Sequence, residues 1–211
     1  MTAAFPVADS VVEAHDQTRR AFARPGAWWN GADRLRIVIE TRNAAQAPTP
    51  SAVQSERADG CELPPIAVEA IHGIRTDSGR LTRRWFDELI DMGLQPEAYV
   101  ELVGVAASSV IVDTFAQGIG RPLPELPEPE PGAPTFERSQ DVVDAGAWLP
   151  IKREGRANIL RSLGLVPSAL KLFFDTFQPS YYMRPNAAFS ISRPQVELVA
   201  SRVSAVNECF Y

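Results

Sequence analysis

The residues that could do chemistry in this chain stand near its C-terminal end. Cys209 is one of two cysteines among 211 residues, and Glu197 precedes it in a stretch with helical periodicity. A thiolate is a nucleophile and a redox group, and a nearby carboxylate can accept the proton that the thiol loses. A single cysteine near a terminus is more often inert, so the surrounding sequence has to decide whether these two residues form a site.

A predicted helix positions Glu197. Ser192 can cap its open N–H groups, Pro194 suits its first turn, and Gln195 completes a capping box. Apolar residues then recur at helical spacing, at Val196, Val199, Val203 and Val206. Such a face normally packs on an element that follows, and only five residues follow Val206, so we expect the apolar face of this helix to be exposed.

Several separately spaced features over 155–211 resemble the alkylhydroperoxidase (AhpD) and carboxymuconolactone decarboxylase superfamily. The stretch from Asn158 to Pro167 is similar to a family segment that combines an asparagine, hydrophobic residues, spaced leucines and a proline. Glu197 takes the place of the family's proton-relay glutamate, and Cys209 takes that of the first cysteine in its C-x-x-C motif. The resemblance implies an all-α, AhpD-like helical bundle. It also implies a peroxiredoxin-type antioxidant enzyme that reduces hydroperoxides, with a dithiol reductant as its redox partner and no cofactor.

The sequence departs from the family motif at its end. Phe210 and Tyr211 would be the two intervening residues, and the second thiol would stand at position 212. In the family the later residue attacks the peroxide, so the resemblance implies that Cys209 is the resolving thiol and Glu197 the proton acceptor. Some members carry selenocysteine in this motif, encoded by a codon that is usually read as stop. We interpret the end at Tyr211 as a misread selenocysteine codon, ahead of a frameshift or a true early stop, and expect the truncated chain to be inactive or weakly active.

The N-terminal half, 1–120, is predicted to be a second, degenerate AhpD-like copy. Its sequence from Ala27 to Ala44 is similar to the helix that precedes C-x-x-C in the family. Where the cysteines would follow, the chain reads Gln46 to Thr49 and offers no thiol pair. We therefore expect this half to be catalytically silent and to support packing or assembly.

A change in composition marks the predicted domain boundary. The segment 121–135 is rich in proline and glutamate, and proline can neither continue a helix nor donate within a sheet. We interpret it as a linker between the helical domain 1–120 and a truncated AhpD-like domain, 136–211. Helical periodicity and the lack of strand-like alternation predict an all-α chain, with helices over 7–23, 33–45, 66–74, 81–92, 97–117, 155–163 and 167–178 before the last one.

Composition limits the partners. The net charge is −5, and no block of Lys and Arg gives a basic face, which argues against a nucleic-acid partner. The N-terminus does not resemble a signal peptide and no long apolar run is evident, so we expect a cytoplasmic protein that does not contact a membrane. Cys61 is interpreted as a free thiol, and the scattered His and Cys residues predict no metal site. The predicted partners are a hydroperoxide, a dithiol reductant and further copies of the chain in a homo-oligomer.

Two other functions stay open at this point. The first is a non-catalytic helical assembly protein, and the second is an enzyme with chemistry like that of carboxymuconolactone decarboxylase, which needs no thiols. Of the two histidines, His72 is predicted to be a hydrogen-bonded structural residue and His15 an exposed one.

Overall fold

The computed structural model describes residues 6–46, 63–155, 158–180 and 189–206, and it is all-α, as predicted. Helices account for 64% of the structure and strands for 2%. The helices are α1 (Asp9–Phe22), α2 (Gly31–Gln46), α3 (Pro65–Thr76), α4 (Arg83–Asp91), α5 (Pro96–Gly118), α6 (Asn158–Ser162), α7 (Pro167–Phe177) and α8 (Arg193–Val206). The short strands β1 (Val142–Val143) and β2 (Ile151–Lys152) pair antiparallel. The chain forms two compact units, Met1–Pro179 and Ser180–Tyr211.

Helix α5 is the centre of the first unit, as its apolar residues on nearly all sides predict. Its side chains Leu102 and Val105 are fully buried, and α2, α3 and α7 pack around it. By length and composition alone α5 could cross a membrane, but 67% of its apolar window is buried inside the protein. A core helix of this kind passes the same test, so the helix is weak evidence for or against a membrane.

Helix α2 resolves an ambiguity in the sequence. The β-branched run at Ile37 and Val38 would also suit a strand, yet both residues are fully buried on a helix. The start of this helix is fixed by Asn30, whose side-chain oxygen accepts a hydrogen bond from the N–H of Asp33 at 2.9 Å. Burial of one helix face therefore outweighs the strand propensity of the run.

The ends of the other helices follow local signals only in part. Thr82 caps α4 by accepting a hydrogen bond from the N–H of Trp85, and Gly93 ends this helix with a φ of 100°, a conformation that glycine adopts readily. At α1 the polar residues Asp9 and Ser10 could serve as caps, but they do not. Ala8 occupies the cap position without a side-chain hydrogen bond, and both polar residues lie inside the helix, which begins at Asp9.

The proline-rich segment 121–135 has no helix or strand, as its composition predicts. It lies along the first unit and makes backbone hydrogen bonds to the turn between α1 and α2: Glu130 N–H donates to the Ala23 carbonyl at 2.8 Å, and Thr135 N–H donates to the Gly26 carbonyl at 3.1 Å. Beyond it, α7 packs across α5 within the same compact unit. The segment therefore contacts the helices on its N-terminal side directly.

Helix α7 crosses α5 at close range. A Cβ at Gly104 of α5 would meet the Cβ of Ala169 at 3.0 Å, so the absence of a side chain there permits the approach. Four apolar residues at helical spacing on α7 face the core to different degrees: Phe173 is buried, while Leu170, Phe174 and Phe177 are half-buried against the same apolar cluster. Helical spacing therefore identifies the right face of α7.

Candidate functional site

Glu197, the predicted proton acceptor, lies in the first half of α8. Its Oε1 accepts hydrogen bonds from the guanidinium of Arg193, with Nε at 2.8 Å and Nη2 at 2.7 Å. The Glu197 side chain is 48% exposed, so its carboxylate is in contact with solvent. At the start of this helix the side-chain oxygen of Gln195 accepts a hydrogen bond from Ser192 N–H at 2.8 Å, which is one half of the predicted capping box.

Cys209, the predicted redox thiol, lies outside the described residues, as does Cys61. The structure therefore neither brings Glu197 and Cys209 together nor separates them. Their assignment to one site stays a prediction.

The apolar face of α8 is mostly exposed. Val196 is buried at 8% exposure, but Val199, Val203 and Val206 are 57%, 54% and 67% exposed. The expectation of an exposed face therefore holds beyond the first turn, and Val196 is the exception. Helical spacing identifies a common face, but it cannot show whether another element covers that face.

A buried ion pair joins Glu101 of α5 to Arg34 of α2. Glu101 Oε1 accepts a hydrogen bond from Arg34 Nη1 at 2.9 Å, and the two side chains are 1% and 8% exposed. The capped start of α2 places Arg34 here, because Arg34 N–H closes the first turn onto the Asn30 carbonyl at 3.0 Å. Sequence reasoning missed this pair.

The carboxylate of Glu101 also organises the turn between α1 and α2. Its Oε2 accepts a hydrogen bond from the backbone N–H of Trp28, and a Cβ on Gly26 would overlap its Oε1. Burial raises the pKa of Glu101, whereas the Arg34 charge and the N–H groups of Trp28, Trp29 and Ala27 act in the opposite direction. Because the Glu101 side chain is buried and its oxygens bind Arg34 and the Trp28 N–H, the ion pair stabilises the backbone of this turn.

The two histidines have separate environments in the core. His72 Nε2 lies 2.8 Å from Glu40 Oε1 and the residue is 2% exposed, so the prediction of a hydrogen-bonded structural histidine is confirmed. The prediction that His15 is exposed is wrong. It is 9% exposed and contacts Phe115 edge to face at 4.9 Å, because it lies on the face of α1 that packs on α5.

His15 lines a small apolar cavity of about 180 Å³ between α1 and the end of α5. Its Nε2 has no hydrogen-bond partner among the described residues, and burial lowers its pKa. The charged groups around the cavity are Asp16, Arg19 and Arg121. A neutral imidazole is therefore the favoured state at this position.

Comparison of the chain with known protein families, curated proteins and solved structures found no match. Within the described ranges, no three His, Cys, Asp or Glu side chains lie close enough together to hold a metal ion.

Proposed function

We propose that this protein is an AhpD-like hydroperoxide-reducing enzyme whose site includes Cys209 and Glu197, in a cytoplasmic, reducing compartment. The observation that carries the proposal is the order and spacing of the motif residues between Asn158 and Cys209. The exposure of Glu197 is compatible with it, because this carboxylate is about half exposed and a proton donor can approach it.

The local structure of the motif segment also supports the proposal. Residues 158–167 form the short helix α6, a 3₁₀ turn at Leu163–Leu165 and the first residue of α7. Leu165 and Val166 are fully buried, so these two hydrophobic positions of the motif are core residues. A motif of spaced leucines before a proline is suited to this tight connection, since proline favours the first turn of the helix that follows.

In the proposed reaction, a thiolate or selenolate forms a bond to the terminal oxygen of the hydroperoxide while the O–O bond breaks, and the alcohol leaves with a proton. The sulfenic or selenenic acid then condenses with Cys209, which releases water and forms a disulfide or selenylsulfide bond. A dithiol reductant restores both groups and is itself oxidised to a disulfide. Glu197 accepts the proton of the attacking group before the first step.

The test uses a chain extended so that a cysteine stands at position 212, where the family has its attacking group. We expect this variant to consume an organic hydroperoxide in the presence of a dithiol such as dithiothreitol, with one disulfide formed per alcohol. Cys209→Ser should abolish disulfide formation. Glu197→Gln should lower the rate of peroxide attack by roughly 10²–10⁴-fold, as expected for loss of a general base.

The matched control is Glu88→Gln. Glu88 accepts a hydrogen bond from Arg84 at 2.9 Å, four residues away on an exposed helix face, as Glu197 does from Arg193. The control should leave the rate unchanged. Equal rates for the two glutamine variants, or a protein disulfide that still forms in Cys209→Ser when peroxide is added without a dithiol, would contradict the proposal.

A second candidate is a non-catalytic helical assembly protein, and the exposed apolar residues of α8 favour it. Leu198 is 68% exposed on this helix, in addition to the three valines that follow the first turn. Self-association would cover such residues. Light scattering should then show an oligomer that Val203→Asp dissociates and that Ile39→Asp, at a residue 45% exposed on α2, leaves intact. A monomeric wild-type chain would exclude this function.

A further inference from the structure

An open groove of about 680 Å³ lies between the start of α3 and helix α4, within the first compact unit. It is here called the α3–α4 groove. The residues of its lining that matter for its chemistry are Ile66, Glu69, Trp85, Glu88, Leu89 and Met92. Most of its accessible surface is apolar, and an open apolar surface is a common mark of an interaction site.

One wall of this groove is an apolar row on α4. Trp85, Leu89 and Met92 follow one another at i, i+4 and i+7, at the spacing that places side chains on one side of a helix. At 1.5 Å per residue the row is about 10 Å long. Leu89 is buried beneath it, whereas Met92 is 63% exposed. The row therefore presents apolar side chains to solvent along two turns of helix.

Helix α8 carries a face of the same length and chemistry. Val199, Val203 and Val206 also follow the spacing i, i+4 and i+7, and all three are more than half exposed. An amphipathic helix that binds in a hydrophobic groove uses anchors at this spacing. The valine row, also about 10 Å long, therefore matches the apolar row of the α3–α4 groove.

The charges beside the two apolar rows are complementary. The described lining of the groove carries two carboxylates and no cation. Glu88 is paired with Arg84, but the exposed Glu69 has no ion-pair partner among the described residues. On α8 the exposed Arg202 stands four residues from both Leu198 and Val206, and it too lacks an ion-pair partner in the described ranges. A free carboxylate on one surface thus corresponds to a free guanidinium on the other.

We propose that α8 of one copy of the chain docks in the α3–α4 groove of a second copy, with the valine row on Trp85 and Met92 and with Arg202 beside Glu69. Burial of the apolar rows supplies the affinity, and the charges fix the orientation of the helix. The inference rests on the self-association of the second candidate function and names the surface that α8 covers.

The docked helix keeps Glu197 open to solvent. Glu197 stands in a different row of α8, four residues after Arg193 and four before Ser201. The valine row and this row lie on separate sides of the helix, because residues four apart share a side. The docking contact is therefore compatible with a proton-accepting role for Glu197 as well as with a purely structural assembly.

The test uses two full-length variants that each lack one of the two surfaces. Met92→Lys places a cation in the groove, and Val203→Asp places a carboxylate in the valine row. By analytical ultracentrifugation we expect the wild type to self-associate and each variant alone to associate about 100-fold more weakly or less, because a charge would be buried in the contact. An equal mixture of the two variants should form a one-to-one pair, since one chain keeps α8 intact and the other keeps the groove.

A charge exchange tests the orientation of the docked helix. Glu69→Arg should weaken association by about tenfold, and the addition of Arg202→Glu to the same chain should restore it. The matched controls are Ile39→Lys, at a residue 45% exposed on α2, and Glu128→Arg, at an exposed residue of the proline-rich segment; neither lines the groove, so both should associate like the wild type. Every variant should keep the helical circular dichroism of the wild type.

The outcomes separate this inference from the self-association on which it rests. If Val203→Asp dissociates the oligomer and Met92→Lys does not, self-association stands and the groove is not the docking site. A variant mixture that stays monomeric, or a charge exchange that restores nothing, would overturn the proposal in the same way. A monomeric wild-type chain would overturn both and would leave the groove to α8 of its own chain or to another protein.

Discussion

Oε1 of Glu101 lies 2.9 Å from Nη1 of Arg34, and the pair is buried between α5 and α2. The same carboxylate binds the backbone of the turn between α1 and α2 through Trp28. The Glu101 side chain of α5 therefore contacts both α2 and the turn between α1 and α2.

Replacing Glu101 by glutamine should strongly destabilise the protein. The substitution leaves the Arg34 guanidinium buried without a counter-charge, and breaking a buried pair from one side costs about 3–5 kcal/mol. The free energy of unfolding, measured by urea denaturation, should fall by that amount. Glu88→Gln, which disrupts an exposed pair with Arg84, should change it by no more than about 1 kcal/mol. Similar losses in both variants would contradict the anchoring role.

Gly26→Ala should be as damaging as loss of the pair itself. A Cβ at Gly26 would overlap both Oε1 of Glu101 and Nη1 of Arg34, so either the turn or the ion pair has to move. We expect a loss of about 3–5 kcal/mol in the free energy of unfolding. Gly118→Ala is the control, because a Cβ there has nothing within 4 Å and lies at the end of α5. It should be neutral or stabilising by up to about 1 kcal/mol, and a larger loss there than at Gly26 would refute the argument.

The hydroxyl pair between α1 and α7 should behave as a coupled unit. Thr18 Oγ1 and Thr176 Oγ1 are 2.8 Å apart and both residues are buried. Each hydroxyl also lies within hydrogen-bond distance of a carbonyl of its own helix, Thr18 of Ala14 and Thr176 of Leu172. Each single change to valine should cost about 1 kcal/mol, while the double variant should cost less than the sum, because either single change already removes the contact between the two hydroxyls. A double-mutant cycle measured by denaturation tests this.

Thr41 supplies the comparison for that cycle. Within the described part of the chain, the buried hydroxyl of Thr41 donates only to the Ile37 carbonyl of its own helix, at 2.7 Å. Thr41→Val combined with Thr18→Val should therefore be additive. Coupling of equal size in both cycles would mean that the hydroxyl contact between α1 and α7 carries no specific energy.

His15 should make stability depend on pH. Burial lowers the pKa of His15 below the ordinary value of 6.5, so between the folded and unfolded pKa values the unfolded chain binds more protons. The contribution of His15 to the free energy of unfolding is therefore fully present above pH 6.5. It is lost as the pH falls through the pKa of the folded state. Urea denaturation between pH 5 and 8 should show this slope, and His15→Leu should reduce it. An NMR titration midpoint for His15 at or above 6.5 would show that the prediction is wrong.

Local signals in the sequence identify the helices because caps, prolines and glycines act over one turn. The start of α4 at Thr82 and its end at Gly93 are examples. They do not identify burial, which depends on packing partners far along the chain. Apolar residues that follow the same helical spacing are buried in α7, as at Phe173, and exposed in α8, as at Val203.

The buried ion pair shows a different limit. A glutamate inside the apolar run of α5, between Val100 and Leu102, is a signal that the sequence carries and that a search for motifs overlooks. Its partner Arg34 is 67 residues away, and no spacing rule connects the two. The candidate thiol site at Cys209 rests on the opposite kind of signal, a local motif whose spatial arrangement is not described.

The hydrogen bonds from the proline-rich segment also make the turn before α2 depend on residues far along the chain. The carbonyls of Ala23 and Ala27 belong to buried residues, and their partners are the N–H groups of Glu130 and Phe136, more than a hundred positions later. Buried carbonyls require partners, so this turn has its full set of backbone hydrogen bonds only when the chain extends to residue 136. A chain that stops before residue 136 should therefore be less stable than the wild type, although it contains the first five helices.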